Sequence, residues 1–344
     1  MKVLLTGHRG YIGAIAARLL RDAGHNVTGL DTLFYEGCDL GAPPDGDIPT
    51  LQVDIRDVRP EQFDGFEAIA HFAALSNDPI GDLNPELTAD VNFRATIDLA
   101  RAAKEAGVGR FVFSSSCSMY GAGQEKPVDE NAPLKPITAY AESKVRSEEA
   151  LAGLVDDGFS TVSLRNATAY GVSPRLRVDL VLNNLVGWAY TTGKVKIMSD
   201  GTPWRPLIHV EDISRATLAT LEAPTEAIHG EAFNVGRDSE NYQVRDLGTI
   251  VEEVVGGEIE YAGSGDPDPR SYRVDFSKFA KTFPDAGLDW TARRGAEQLL
   301  EAYRSVDLTL EQFESDRYIR LKHLRKLLES GELDEQLRWR RAPA

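Results

Sequence analysis

The segment YAESK, residues 140–144, sets a phenol and an ammonium four positions apart, at Tyr140 and Lys144. On a helix, positions i and i+4 share a face, so the two side chains are neighbours there. A tyrosine with an ordinary pKa of about 10 is a poor base at neutral pH, but an adjacent cation favours its phenolate. Such a phenol can shuttle a proton. Upstream, SSSCSMYG at 114–121 supplies hydroxyls, one of which can orient a substrate oxygen for that transfer. A Tyr/Lys pair on a helix is by itself commonly a surface contact; its meaning depends on what precedes it in the chain.

What precedes it is TGHRGYIG, residues 6–13, directly after the apolar run KVLL. Gly7, Gly10 and Gly13 fall at a strand-to-helix turn, where glycines permit a tight bend and let a pyrophosphate approach the positive end of the helix. Gly7, Gly10, Tyr11, Ile12 and Gly13 are therefore the expected dinucleotide contacts of this turn. The second strand, HNVTGLD, ends at Asp31, 18 residues after Gly13, where a carboxylate accepts hydrogen bonds from an adenosine ribose. Asp31 would repel a 2′-phosphate, and GLDTLFYE offers no basic residue beside it, so NAD is expected over NADP.

These residues need a frame. Over the first 120 residues short apolar strands alternate with helical stretches: KVLLTG, then YIGAIAARLLRDAG, HNVTGLD, a Pro/Gly-rich loop at 41–49, LQVDIRD, AIAHFAA, one helix LTADVNFRATIDLARAAKEAGV, and GRFVFSSS. Repeated βα order with nearly continuous apolar strands predicts an α/β fold: a Rossmann-type doubly wound parallel sheet with its ligand at the carboxyl ends of the strands. The second half is less periodic. TVSLRNATAYG reads as one further strand leaving the first domain, DLVLNNLVGWAYTTG as a helix and KVKIMSDG as an edge strand; substrate selection is expected in this part.

Composition bounds the partners. The chain has 344 residues, 42% of them hydrophobic, enough for one large or two coupled domains. A formal net charge of −16 argues against nucleic acid as a partner. Without a leader-like start or an apolar run near 18 residues, a cytoplasmic location with no membrane association is expected. Cys38 and Cys117 fit neither a disulfide framework nor a paired metal site, and the six histidines lack ligand spacing, so no metal is expected.

The spacing GxxGxxG, together with DIRD at 54–57, HFAA at 71–74, SSSCSMYG and YAESK in that order, resembles the extended short-chain dehydrogenases/reductases. Within them the sequence is similar to the NAD-dependent nucleotide-sugar epimerase/dehydratase family and its UDP-glucose 4-epimerase-like enzymes, over about residues 1–300. The resemblance implies that Asp54 and Ile55 flank the adenine, and that Ala73 and Ala74 line the cofactor with backbone. It implies Ser116 as the substrate-orienting hydroxyl, Tyr140 as acid and base, and Lys144 as the ribose-binding cation. Arg205, in PWRPLIHVEDISRA, and Arg270, in DPDPRSYRVDFSK, match residues that contact a nucleotide diphosphate. Thr168 stands where the family commonly has Asn, which puts that substrate contact in question. By this resemblance the NAD domain spans 1–165 with 206–235 returning to it, the substrate-binding domain takes 166–205 and 236–304, and 305–344 is a helical extension. The implied reaction is 4-epimerisation of a nucleoside-diphosphate sugar through a transient 4-keto sugar, in a homodimer. A reductase or dehydratase of the same family is the alternative, with a non-catalytic NAD-binding regulator as one of another class. The 4,6-dehydratases of this family carry an Asp-Glu pair after the catalytic hydroxyl residue, where this chain has Cys117 and Ser118. In the extension, Ile319, Leu321, Leu324, Leu327 and Leu328 recur at helical spacing, predicting an amphipathic helix that packs on the body or on a second subunit; its sequence shows no chemical pattern and leaves its role open.

Overall fold

The computed structural model describes residues 1–41, 48–76, 84–122, 126–261, 263 and 270–340. Most of the loop expected at 41–49 and most of DPDPR before Arg270 lie outside the described residues.

Strands β1 (Lys2–Thr6), β2 (Asn26–Asp31), β3 (Thr50–Gln52), β4 (Ala68–His71), β5 (Arg110–Ser116), β6 (Ser160–Asn166) and β10 (Glu231–Val235) form a seven-stranded sheet. Its order is β10-β6-β5-β4-β1-β2-β3 and every pairing is parallel. A parallel sheet is covered on both faces, and β4 and β6 are accordingly buried along their whole length. Side chains alternate between the two layers. Val3 and Leu5 pack with Ala16 and Leu20 of helix α1 (Gly13–Asp22) and with Ile213 of the helix Val210–Glu222, whereas Leu4 faces the opposite layer with Leu99 and Leu151. The chain runs outward from β1 through β2 to β3 and resumes on the other side at β4, which leaves a crevice at the carboxyl ends of β1 and β4.

Two local expectations are corrected. The stretch expected as one helix, 87–108, is Pro85–Ala89, a π-helical turn Asp90–Arg94, and Ala95–Glu105. Asn92 in that turn is buried and spans the chain, accepting from the Leu75 N–H at 2.7 Å and donating to the Leu75 carbonyl at 3.0 Å. A wider turn at a side chain that is bonded into the body fits the usual placing of such bulges. The stretch read as one strand, 161–171, is two: β6 stays in the main sheet, and β7 (Thr168–Tyr170) joins β9 (Trp204–His209) and β11 (Asn241–Gln243) in a separate three-stranded sheet. The break falls at Ala167, whose N–H still donates to Val235 of β10 while Asn166 is tied by its amide to Ser114 and Ser115 of β5. The edge strand β8 (Lys194–Ile197) pairs in parallel with β12 (Glu258–Tyr261). Around these small sheets a second core gathers Leu182, Val186, Leu247, Val251 and Leu299.

The extension packs on its own chain. Helix Arg320–Glu329 buries Leu324 and Leu327, with Leu333 and Leu337 beyond it, against Leu75 and Leu87.

Candidate active site

The β1–α1 turn is built on the glycines in an unexpected way. Gly7 has φ +71°, and a side chain there would come within 2.7 Å of the Ala73 nitrogen; one at Gly13 would lie 2.1 Å from the Gly7 carbonyl oxygen. The excluded partner is thus the protein's own backbone, folded on itself and on the end of β4.

Above it opens one cleft of about 630 Å³. Every residue expected at the site from the sequence lines this cleft except Lys144. At one end stand the glycine turn, Asp31, Asp54 and Ile55, and at the other Thr168, Arg205 and Arg270, with Ala73, Ala74, Ser116 and Tyr140 also in its wall.

Asp31 is held in place by backbone: Oδ2 accepts from the Arg9 N–H at 3.0 Å and Oδ1 from the Leu33 N–H at 2.9 Å. Asp54 is clamped by Arg56, with Nε 3.0 Å from Oδ1 and Nη2 2.6 Å from Oδ2. Burial alone would raise the Asp54 pKa, but the hydrogen bonds and charge of Arg56 outweigh it and hold the carboxyl below its ordinary value.

The helix carrying Tyr140 and Lys144, Ala139–Ala152, starts where the Thr138 hydroxyl caps the Ala141 N–H at 3.2 Å. Lys144 is buried beneath the wall, with Nζ 5.6 Å from the Tyr140 ring centroid and donating to the Ser114 carbonyl at 2.7 Å. Burial pushes its ammonium down to about 7. Ser116 ends β5, and its hydroxyl donates to Ser118 Oγ at 3.0 Å while accepting from the Ser118 N–H at 3.2 Å. Cys117 turns inward and donates its thiol to the Arg165 carbonyl at 3.0 Å, with burial raising its pKa well above the usual range.

The sequence reading missed Arg177, Asp179, Asn184 and Tyr272 in the wall. Arg177 and Asp179 form a bidentate pair at 3.1 and 2.6 Å; they stand one turn before a helix in VSPRLRVDLV, which carries no pattern of its own. The extension, in which the sequence shows no chemical pattern, places Arg320 and Leu337 in the wall. Arg205 donates to the Trp204 carbonyl at 2.8 Å and to the Arg270 carbonyl, which ties the two arginine positions together.

The cleft suits a dinucleotide. It runs from the N-terminus of a ten-residue helix to an acid at the end of β2, the arrangement that holds a pyrophosphate and a ribose. In its wall Asn166 Oδ1 and Ser115 Oγ are buried with no protein partner among the described residues, as polar atoms meant for a ligand would be. Gly7, Gly10, Tyr11, Ile12, Gly13, Asp31, Asp54, Ile55, Ala73 and Ala74 fit the dinucleotide end of that cleft.

Comparison with known proteins agrees with this geometry. The chain is 32% identical to the UDP-glucose 4-epimerase of Corynebacterium glutamicum over 286 residues, 78% of this chain and 85% of the relative. It is likewise 32% identical to the UDP-glucose 4-epimerase of Lactobacillus helveticus, covering 78% and 87%. The solved structure of MoeE5 in complex with UDP-glucuronic acid and NAD superposes with a TM-score of 0.77 at 26% identity, over 89% of this chain and 99% of that one. The sequence pattern of the NAD dependent epimerase/dehydratase family matches residues 3–236, more than half of the chain, and the protein belongs to that family.

Proposed function

We propose that the protein is an NAD-dependent epimerase that inverts C4 of a nucleoside-diphosphate sugar. The observation that carries this reading is the arrangement of the cleft: Ser116 and Tyr140 stand in the same wall as the glycine turn and the Arg205/Arg270 pair, and among the described residues each carboxylate lining it is engaged. Asp31 is bonded to backbone, Asp54 to Arg56 and Asp179 to Arg177. Dehydration needs an acid for the departing hydroxyl, and the positions after Ser116 offer an inward-facing thiol and a serine instead.

Held by the glycine turn, Asp31 and Asp54, NAD would supply reversible hydride acceptance at C4, with inversion following if the hydride is returned to the other face of the 4-keto sugar. The chain's own residues handle the proton and the orientation. Tyr140 accepts the 4-hydroxyl proton and gives it back, Ser116 orients the same oxygen, and Lys144 supplies positive charge under the phenol while contacting the ribose. Burial lowers Lys144 to about 7 against the opposing charge of Glu148, and a phenolate formed at Tyr140 would favour its protonated form further. Arg205 and Arg270 bind the substrate diphosphate through guanidinium forks, and Thr168 offers one hydroxyl to the sugar. In this reading residues 1–165 with 206–235 hold the cofactor, 166–205 and 236–304 select the sugar, and two copies form a cytoplasmic homodimer.

The test supplies UDP-glucose, UDP-galactose and UDP-glucuronate in turn with catalytic NAD, identifies products by NMR and follows the reduced-nicotinamide absorbance. Inversion at C4 without net change in absorbance is expected. A 4-keto-6-deoxy product would make the protein a dehydratase, and steady NADH consumption with a keto sugar a reductase.

A further inference from the structure

The C-terminal segment is tied to the loops that follow three strands of the main sheet. After β2, Trp339 Nε1 donates to the Thr32 carbonyl at 2.6 Å and its ring lies 5.8 Å from that of Phe34. After β3, Arg56 Nη1 donates to the Gln336 carbonyl at 2.8 Å, and Arg338 pairs with Asp54 at 3.3 Å and with Asp57. After β4, Leu75 packs among Leu324, Leu327 and Leu337. These loops rise at the carboxyl edge of the sheet on its dinucleotide side.

Within this segment Arg320 has packing for its side chain, on Tyr35, but no counter-charge for its guanidinium among the described residues. It is 7% exposed, reaches the cleft wall and stacks on Tyr35, with the guanidinium 3.5 Å from the ring centroid. Among the described residues no carboxylate forms an ion pair with it. The ionised groups that act on it are Arg177, of like sign, and Asp179, which Arg177 already holds in bidentate geometry; its other polar neighbours are the Tyr35 phenol and the Cys38 thiol. Among the described residues, then, two buried guanidiniums have one carboxylate between them, a net positive charge at the wall. A buried cation without a counter-charge is costly, and an anion arriving in the cleft would relieve it.

We propose that Arg320, with Arg177 beside it, binds the pyrophosphate of the dinucleotide, and that the C-terminal segment delivers this cation while covering the adenosine half of the site. The inference rests on the NAD reading. A diphosphate could come from either ligand of this cleft; the dinucleotide is favoured because Arg320 stacks on Tyr35, four residues after Asp31, whereas Arg205 and Arg270 stand with the small sheet.

The experiment uses full-length, cofactor-free protein and the variants Arg320→Met, which keeps most of the volume, and Arg320→Lys, which keeps the charge. Calorimetry with NAD, adenosine and UDP, and thermal unfolding with and without NAD, are the readouts. In Arg320→Met, NAD should bind about 10- to 100-fold more weakly, the range for a lost hydrogen bond to a charged group. Adenosine and UDP should bind within about twofold of wild type. The unliganded Tm should stay level or rise, because an uncompensated charge has gone, while the NAD-induced rise in Tm should shrink. Arg320→Lys should recover part of the NAD affinity and serves as the measurement if the methionine variant does not fold. Unchanged NAD affinity in both variants, or a fall in unliganded Tm with a normal NAD-induced shift, would overturn the proposal and mark Arg320 as structural. Loss of UDP affinity instead would assign the cation to the substrate's diphosphate. Failure of the wild type itself to bind NAD would remove the cofactor reading, and this inference with it.

Discussion

At the residue scale, Tyr140 and Asp31 have separable jobs. Tyr140 stands in the cleft wall with Lys144 buried beneath it, so removing only its hydroxyl should spare the cofactor contacts. Tyr140→Phe is expected to lower kcat at least about 100-fold, the scale of general acid–base work, with NAD affinity nearly unchanged by calorimetry. Asp31 accepts two backbone N–H bonds that fix the β2 loop, one of them from Leu33, which is itself in the left-handed region at φ 61°. Asp31→Ala should weaken NAD by about 10-fold or more and narrow its advantage over NADP, because it removes both the ribose acceptor and the charge that repels a 2′-phosphate. Equal affinity of the wild type for NAD and NADP would refute the selectivity argument.

At the element scale, the strand–turn–helix unit is constrained chiefly by itself. A methyl at Gly13 would sit 2.1 Å from the Gly7 carbonyl oxygen and 2.7 Å from His8 Cα, both backbone, while one at Gly10 would meet only the Gly7 oxygen at 2.9 Å. Gly13→Ala should therefore cost more than Gly10→Ala, at the upper end of the roughly 1–3 kcal/mol typical of overpacking, by urea unfolding of unliganded protein. Equal costs would show that the closer backbone contacts of Gly13 do not set its requirement for glycine. The helices Ala95–Glu105 and Ala139–Ala152 pack against each other, and the resemblance to the family implies that the stretches 87–107 and 139–155, which contain them, would pair two subunits of the proposed homodimer. Light scattering at micromolar concentration is expected to give a dimer, and a monomer would count against that proposal.

At the scale of the whole molecule, the centre of the main sheet holds a histidine that folding keeps neutral. His71, at the end of β4, is 1% exposed between the hydroxyls of Thr6 at 2.7 Å and Thr96 at 2.9 Å. Burial, reinforced by the charge of Lys144, lowers its pKa to about 3. Between its ordinary value of about 6.5 and that lowered value, the unfolded chain binds a proton that the folded protein refuses, so stability falls as pH falls through this window. The contribution is about 1.4 kcal/mol per pH unit. His71→Gln should be less stable than wild type at pH 7 and should lose less on acidification, so the two unfolding profiles converge towards acid; parallel profiles would show that His71 titrates normally in the fold.

The sequence by itself determined the parts that depend on near neighbours. The β1–turn–α1 unit, Asp31 at the end of the second strand, the serine at the end of β5 and the Tyr/Lys pair were legible because 3.6-residue and two-residue periods, and the geometry of one turn, place side chains without reference to the rest of the chain. Parallel order followed from alternating element types and the handedness of crossovers. Tertiary structure decided what those rules do not reach. That β6 breaks at Ala167 depends on β10 arriving beside it from residues 231–235, and a strand reading of TVSLRNATAYG contains no trace of that partner. That the glycines of TGHRGYIG answer to backbone required the end of β4 to lie against Gly7. The extension is the plainest case. Its leucine spacing announced a buried face, but Trp339 meets Thr32 across 307 residues and Arg320 meets Tyr35 across a comparable span, and no local period encodes contacts of that range. Packing chose the partner, and so turned a tail that reads as a simple amphipathic helix into part of the cleft wall.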